Sequence, residues 1–290
     1  MRLSIPFVTI LMSTAISSKE YQKCGTVEPS TAVFEIAREQ QLRGKSKLNA
    51  RQQREGLTIP TYFHVVESQE RNGSITEQML TDQLSVLQQT FAPHNISFTL
   101  LGTTFTVNDS WAAVIQHADM SASLRRGGYD TLNMYFQTGM AGVPDGITGW
   151  CNFPVSDPIN ETLNGTSYFV FDGCHVNPDT MPGGAGGGYQ GRDNAGKTAT
   201  HETGHWLGLF HTFDGFDCGG EGDMIADTPA QSEATRGCPL SPPKDSCPEL
   251  EGVDPIHNYM DYSSDECKTE FTPQQVDRMY ETFYSLRLGK

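Results

Sequence analysis

His201-Glu202-Thr203-Gly204-His205-Trp206-Leu207-Gly208-Leu209-Phe210-His211 is the stretch on which the reading of this 290-residue chain turns. Residues four apart on an α-helix share a face, so His201 and His205 can present two imidazoles to one metal ion. Glu202 follows the first of them and is placed to reach a water at the metal rather than the metal itself. Gly208 permits a sharp turn, through a conformation closed to residues with a Cβ, that swings His211 back as a third ligand. Five positions are fixed within eleven residues of a chain with only eight histidines, which makes coincidence remote. Three neutral imidazoles suit zinc and leave one coordination position open, so Glu202 reads as the general base of a metal-assisted hydrolysis. No Ser or Cys nucleophile with triad partners is apparent.

Working outward, Lys197 to Leu207 reads as the helix that carries this motif, ended by Gly208. Upstream, Ile59 to Val66 is rich in β-branched and aromatic residues and reads as a strand. Thr76 to Phe91 follows as an amphipathic helix with Met79, Leu80, Leu84, Leu87 and Phe91 on one face, and Ile96 to Leu101 as a second strand. That β-α-β order implies a right-handed crossover in a largely parallel sheet. Further strands are expected at Thr131 to Gln137 and Tyr168 to Phe171, around a loop-rich stretch from Gly142 to Gly165. Pro182 to Gly191, with six glycines in ten residues, reads as an irregular loop. Thr272-Pro273 supplies an N-cap and a first-turn proline for a final helix to about Leu288.

The N-terminus addresses the compartment. Arg2 is followed by the apolar run Leu3 to Ile16, and Ala15 and Ser17 form a small-x-small site, so residues 1–17 read as a signal peptide; the run is too short to span a membrane as an anchor. Secretion is the consequence. Residues 18–56 are polar, with one helix-like stretch at Ala32 to Gln41, and read as a pro-segment ahead of a catalytic domain at 57–290. The formal charge of −15 is uneven: eight Lys or Arg stand against five Asp or Glu in residues 18–56, and eleven against thirty in residues 57–290. Such a surface repels phosphate backbones, which argues against nucleic acid as a partner. Sequons begin at Asn72, Asn95, Asn108, Asn160 and Asn164, in keeping with a glycoprotein. Seven cysteines leave one over, and the residues alone do not choose among the fifteen pairings of the other six. From Asp214 to Asp227, five acidic residues lie among four glycines, a hard-oxygen array of the kind calcium prefers.

Taken together, Thr198 to Phe213, Gly222 to Pro229 and His257-Asn258-Tyr259-Met260-Asp261-Tyr262 make the chain resemble the metzincins, and among them the pappalysin family of secreted zinc metalloproteases. The resemblance implies an α+β zincin fold: a twisted, mostly parallel sheet and the active-site helix in an upper subdomain (57–208), above a smaller loop-rich one (209–290). It also implies that Met260 forms a Met-turn beneath the metal and that Tyr262 stands beside it as a second catalytic group. From it follow the disulfides Cys218 with Cys247 and Cys238 with Cys267, which leave Cys151 to Cys174 and Cys24 single. Asp223, Asp227 and Thr228 become the calcium candidates. Cys24, within a net-positive segment facing an acidic domain, becomes a switch that blocks the metal until a cut between Gln41 and Leu57. Substrates would be proteins or peptides lying extended along an edge strand, and the enzyme a monomer. The acidic run Asp265-Glu266 suggests a preference for Arg or Lys after the scissile bond. Two other readings share the zinc helix. A catalytically silent zinc-binding protein is opposed by the intact Glu202, and an astacin-like or matrix-type branch by the cysteine pattern and the 222–229 stretch.

Overall fold

A computed structural model describes residues 24–26, 29–43, 55–140 and 147–290. The expected signal peptide and residues 44–54 of the expected cleavage region lie outside these residues. In chain order the elements are α1 (Thr31–Arg43), β1 (Leu57–Glu67), α2 (Glu77–Phe91), β2 (Ile96–Val107), α3 (Asp109–Ala112), α4 (His117–Leu124), β3 (Leu132–Gln137), β4 (Gly149–Cys151), β5 (Thr162–Leu163), β6 (Thr166–Ser167), α5 (Tyr168–Phe171), β7 (Cys174–Val176), α6 (Lys197–Trp206) and α7 (Pro273–Thr282).

One five-stranded sheet, ordered β2-β1-β3-β7-β4, organises the fold. β1 pairs in parallel with both β2 and β3, and β3 with β7, whereas β4 runs antiparallel to β7. The β1-α2-β2 order therefore delivers the parallel neighbours that the alternating pattern predicts. α2 starts cleanly because Thr76 accepts the Met79 N–H at its N-terminus. Its Leu80, Leu87 and Phe91 join Ile59, Phe63 and Val65 of β1 and Met134 and Phe136 of β3 in the main core, together with Trp206 of α6 and Met279 of α7. α6 thus lies under the sheet, held by the same apolar contacts that stabilise the domain.

Three elements differ from their expected form. β2 continues six residues beyond Leu101, to Val107, passing an irregularity opposite Thr61 and Tyr62. Tyr168–Phe171, expected as a strand, is the short helix α5; Arg125 stacks its guanidinium over Phe169, 3.8 Å from the ring centroid, and the strand comes at Cys174–Val176 instead. A four-residue apolar run carries no period that separates strand from helix. The final helix opens with Thr272 and Gln275 in reciprocal capping contacts and continues past Thr282 as a wider turn, Phe283–Arg287. The structure joins Cys151 to Cys174, Cys218 to Cys247 and Cys238 to Cys267, the pairing that the resemblance implied, and leaves Cys24 free and buried.

Candidate active site

α6 projects His201 and His205 from one face, and the chain then reverses at Gly208, whose φ is +89°. A Cβ there would also lie 2.5 Å from Thr282 Oγ1, so both the turn and the packing of α7 demand glycine. His211 returns beside the other two. Nδ1 of His201 donates to the Tyr259 carbonyl and Nδ1 of His205 to the Leu209 carbonyl, each at 2.7 Å, while Nδ1 of His211 faces Asp214 Oδ1 at 3.1 Å. Carbonyls and carboxylates only accept, so these contacts place the proton on Nδ1 and leave an Nε2 lone pair on every ring.

The three lone pairs converge. Nε2 of His205 is 3.1 Å from that of His201 and 3.0 Å from that of His211. Burial holds His201 and His205 well below the usual histidine range, and so neutral. Lone pairs facing each other at such distances repel unless a cation lies between them. Tetrahedral zinc with nitrogen ligands at about 2.0–2.1 Å places those nitrogens roughly 3.3 Å apart, close to what is seen. The donor set therefore fits zinc.

Cys24 completes the cluster: its Sγ and the three imidazole nitrogens lie within 4.8 Å of one another. It arrives from the N-terminal segment, which pairs along β4 through a parallel bridge between Cys24 and Gly149 and a 2.8 Å hydrogen bond from Gly25 N–H to the Gly149 carbonyl. The Thr26 hydroxyl lies 3.2 Å from Glu202 Oε2 and accepts the Cys151 N–H at 3.0 Å, so one side chain ties Glu202 to the edge strand. Burial, then the Glu202 carboxylate 3.4 Å away, push the Cys24 thiol well above its ordinary value. A thiol in this position is a poor thiolate on its own, and a cation at the cluster reverses that balance.

Glu202 is fully buried against β4; a Cβ on Gly149 would meet its Cγ and Oε1 at 2.8 Å. Beneath α6, Met260 packs so closely on Gly204 that a Cβ there would lie 2.5 Å from Sδ. The Tyr262 hydroxyl accepts the Cys24 N–H at 3.2 Å and faces its carbonyl at 3.3 Å, and the ring packs 5.0 Å from that of His211. The sequence-predicted groups His201, Glu202, His205, His211, Met260, Tyr262 and Cys24 are thus brought together. Thr26, Gly149 and the orienting Asp214 were not picked out for this site; Asp214 carried a signal only as part of an acidic run, and the other two carried none.

Two acidic features lie apart from the cluster. Asp223 and Asp227 approach α7: the Ile225 N–H donates to Asp223 Oδ1 and the Gln274 N–H to Asp227 Oδ2, each at 3.0 Å. Their other oxygens, with Thr228 Oγ1, are buried and have no hydrogen-bond partner, which fits a hard cation. Burial pushes Asp223 up to about 7 against the pull of Arg278 and of the Ile225 N–H. Asp265, in contrast, is enclosed: its Oδ2 accepts the Ala195 N–H at 2.8 Å, and Lys197 Nζ donates to its carbonyl at 2.7 Å. Glu266 is exposed and pairs with Arg192 at 3.2 Å. The run Asp265-Glu266 does not present two open carboxylates, and an expected basic preference rests on Glu266 alone.

Residues 130–284 match the peptidase M43 family, described as pregnancy-associated plasma protein-A. The extracellular metalloprotease of Colletotrichum graminicola is 46% identical over 268 residues, covering 91% of this chain and 90% of its own. Extracellular metalloprotease 1 of Coccidioides posadasii is 42% identical over 295 residues and is covered along its whole length. Among solved structures, mirolysin in complex with a compound superposes with a TM-score of 0.62 at 27% identity, covering 79% of this chain and 92% of that one. A promirolysin variant from Tannerella forsythia gives 0.60 at 25% identity, covering 90% and 94%. Among the described residues no helix is long and apolar enough to cross a membrane. With the imidazole cluster, the parallel sheet and relatives matched over nine-tenths of their length, the chain belongs to the M43 (pappalysin) family of metzincins and is an extracellular zinc metalloendopeptidase.

Proposed function

We propose that the chain is secreted as a latent endopeptidase whose zinc is held by His201, His205 and His211 and whose general base is Glu202. The convergence of three outward-protonated imidazoles on one point carries the reading. Bound zinc supplies Lewis acidity, polarising the scissile carbonyl and acidifying water. Glu202, enclosed between α6 and β4, takes the proton from the attacking water and returns it to the leaving amine. Tyr262 donates to the oxygen on which charge develops; its present contacts to the Cys24 N–H and carbonyl put that hydroxyl against a peptide group already. Met260 sets the floor by packing on Gly204. A substrate peptide lies extended along β4, the edge that residues 24–26 pair with here.

Residues 1–17 act as the signal peptide, and residues 18–56 form the pro-segment, whose Cys24 Sγ would join the three imidazoles in holding the metal. Residues 57–208 and 209–290 form the two walls of the cleft. Asp223, Asp227 and Thr228 hold calcium, supported by their orphaned oxygens. The enzyme works as a monomer on protein substrates. Replacing Glu202 by Gln tests the chemistry: zinc content should stay at one per chain while turnover of a casein substrate falls by about 10³-fold or more. A variant with full zinc and more than a few per cent of activity would overturn the assignment.

A further inference from the structure

The sheet has two edges, and they are treated differently. β4 is paired by the N-terminal segment at Cys24. β2, at the other end, pairs with β1 and with no other strand among the described residues. It is twelve residues long, Ile96–Val107, and contains no Lys, Arg, Asp, Glu or Pro. Leu101, Phe105 and Val107 are 53%, 55% and 45% exposed along it. A long, uncharged, apolar edge is a template for pairing with another chain, and proteins normally blunt such edges with charge, proline or cover. Gln88 of α2 takes up the Phe98 carbonyl and N–H, and an irregularity opposite Thr61 and Tyr62 bulges the strand near its middle, so the apolar stretch from Leu101 to Val107 is the part that calls for a guard.

The two residues that bracket this strand both open sequons. Asn95 directly precedes Ile96 in Asn95-Ile96-Ser97, and Asn108 directly follows Val107 in Asn108-Asp109-Ser110. Asn95 is exposed, in a left-handed turn at φ 59°. Asn108 caps α3 through Oδ1, which accepts the Trp111 N–H at 3.1 Å, so the cap does not consume the Nδ2 that a sugar would occupy. Twelve residues at about 3.3 Å each set the two sites about 40 Å apart, one at either end of the edge.

We propose that Asn95 and Asn108 carry N-linked oligosaccharides whose purpose is to guard the β2 edge against pairing with a second copy of the chain. In the transfer, Nδ2 attacks C1 of a lipid-linked oligosaccharide pyrophosphate and loses a proton. The C1–O bond breaks, and its electron pair leaves on the pyrophosphate. The bulky, hydrated sugars then stand at both ends of a strand that carries neither charge nor proline, while the β4 edge stays open to peptides. The inference does not depend on the catalytic assignments.

The protein secreted from a glycosylating eukaryotic host is to be mapped by mass spectrometry, and its mass in solution followed by sedimentation velocity. Both asparagines should carry sugar. The Ser97→Ala/Ser110→Ala chain, which loses both sequons while retaining the Asn108 cap, should shift from monomer to dimer and larger species. Trimming the folded wild-type protein to one sugar per site should cause the same shift without relying on how a variant folds. Adding Phe105→Lys to the double variant should return it to monomer. Either asparagine unmodified, a trimmed chain that stays monomeric, or association that persists with Phe105→Lys overturns the proposal.

Discussion

Gly208 is where conformation and packing coincide at a single residue, since its φ of +89° excludes most side chains and Thr282 Oγ1 lies where a Cβ would go. Gly208→Ala is therefore expected to cost about 2 kcal/mol or more, from the left-handed backbone and the overpacked contact together. Because the turn also aims His211, zinc affinity should fall alongside the melting temperature, and a variant that melts early with unaltered zinc retention would deny the turn its positioning role. Thr26 makes the opposite kind of contribution. It is half-buried, ties Glu202 Oε2 and the Cys151 N–H to the Cys24 loop, and belongs to the proposed pro-segment. Thr26→Val should leave the mature enzyme unchanged and shorten the lag before activity appears in the proform, read as a progress curve. An unchanged lag would show the hydroxyl to be incidental to latency.

Among the elements, the sheet face lined by Tyr62, His64, Tyr135, His175 and Trp150 forms a continuous stack of rings across β1, β3, β7 and β4. His64 bonds Thr104 Oγ1 at 2.8 Å and Asn133 Oδ1 at 3.0 Å; burial chiefly, with Arg126 and Arg125, lowers it to about 4 despite Asn133. His117, 2.9 Å from His175, is lowered by burial to about 4 as well. Their folded values lie below those of the unfolded chain, so the unfolded chain binds more protons between about pH 6.5 and 4, and stability is lost as pH falls through that window. His64→Gln, which keeps a donor and an acceptor at the position but cannot take up a proton, should flatten the fall in melting temperature from pH 7 to 4.5; an unchanged slope would remove the histidine from the account. The loop before α7 offers a second test. Asp227→Asn should abolish any rise in melting temperature on adding calcium while leaving the zinc content alone, and a wild-type protein indifferent to both calcium and chelator would leave no calcium to hold. These elements also show what the sequence could and could not say. His201, His205 and Glu202 were legible because helical spacing fixes their relation within one turn. Met260 became legible through a resemblance, since nothing local says that a methionine lies under Gly204. Gly149 and Thr26 were silent, because their roles arise only where β4 and the N-terminal segment meet α6. Tyr168–Phe171 misled, since its apolar side chains serve packing against Arg125 and its neighbours rather than a ladder.

For the molecule as a whole, the proposed latent form poses the question of how a net-positive segment would silence an acidic enzyme and then let go. Among the described residues it is held in two regions. Near the metal, Cys24 sits among the three imidazoles; further on, α1 lays Val33, Ile36 and Ala37 against Phe153, Phe210, Met224 and Leu286. Gln40 adds hydrogen bonds to the Gln274 carbonyl and from Arg278 Nε, both at 2.9 Å. Burial of aliphatic side chains of this size stabilises by about 1.5–3 kcal/mol each, so α1 acts as an anchor that keeps the thiol at high local concentration. The side chains on which α1 packs are Phe153, Phe210, Met224 and Leu286, so on the proposed reading the metal is blocked by Cys24 and the segment is held by α1. Cys24→Ser should therefore leave the segment docked but the proform leaky, maturing faster than wild type, since a hydroxyl is a far weaker zinc ligand than a thiolate. Val33→Asp should reach the same leakiness from the other end, with the thiol intact and the docking lost. Combining Cys24→Ser with Glu202→Ala separates self-cleavage from cleavage by other proteases: the double variant should remain uncut when purified alone. The measurement is the intact mass of each proform over time beside hydrolysis of a fluorogenic peptide. A wild-type proform that is fully active with residues 18–56 still attached would exclude the switch, and a Cys24→Ser proform as silent as wild type would move latency wholly onto the anchor.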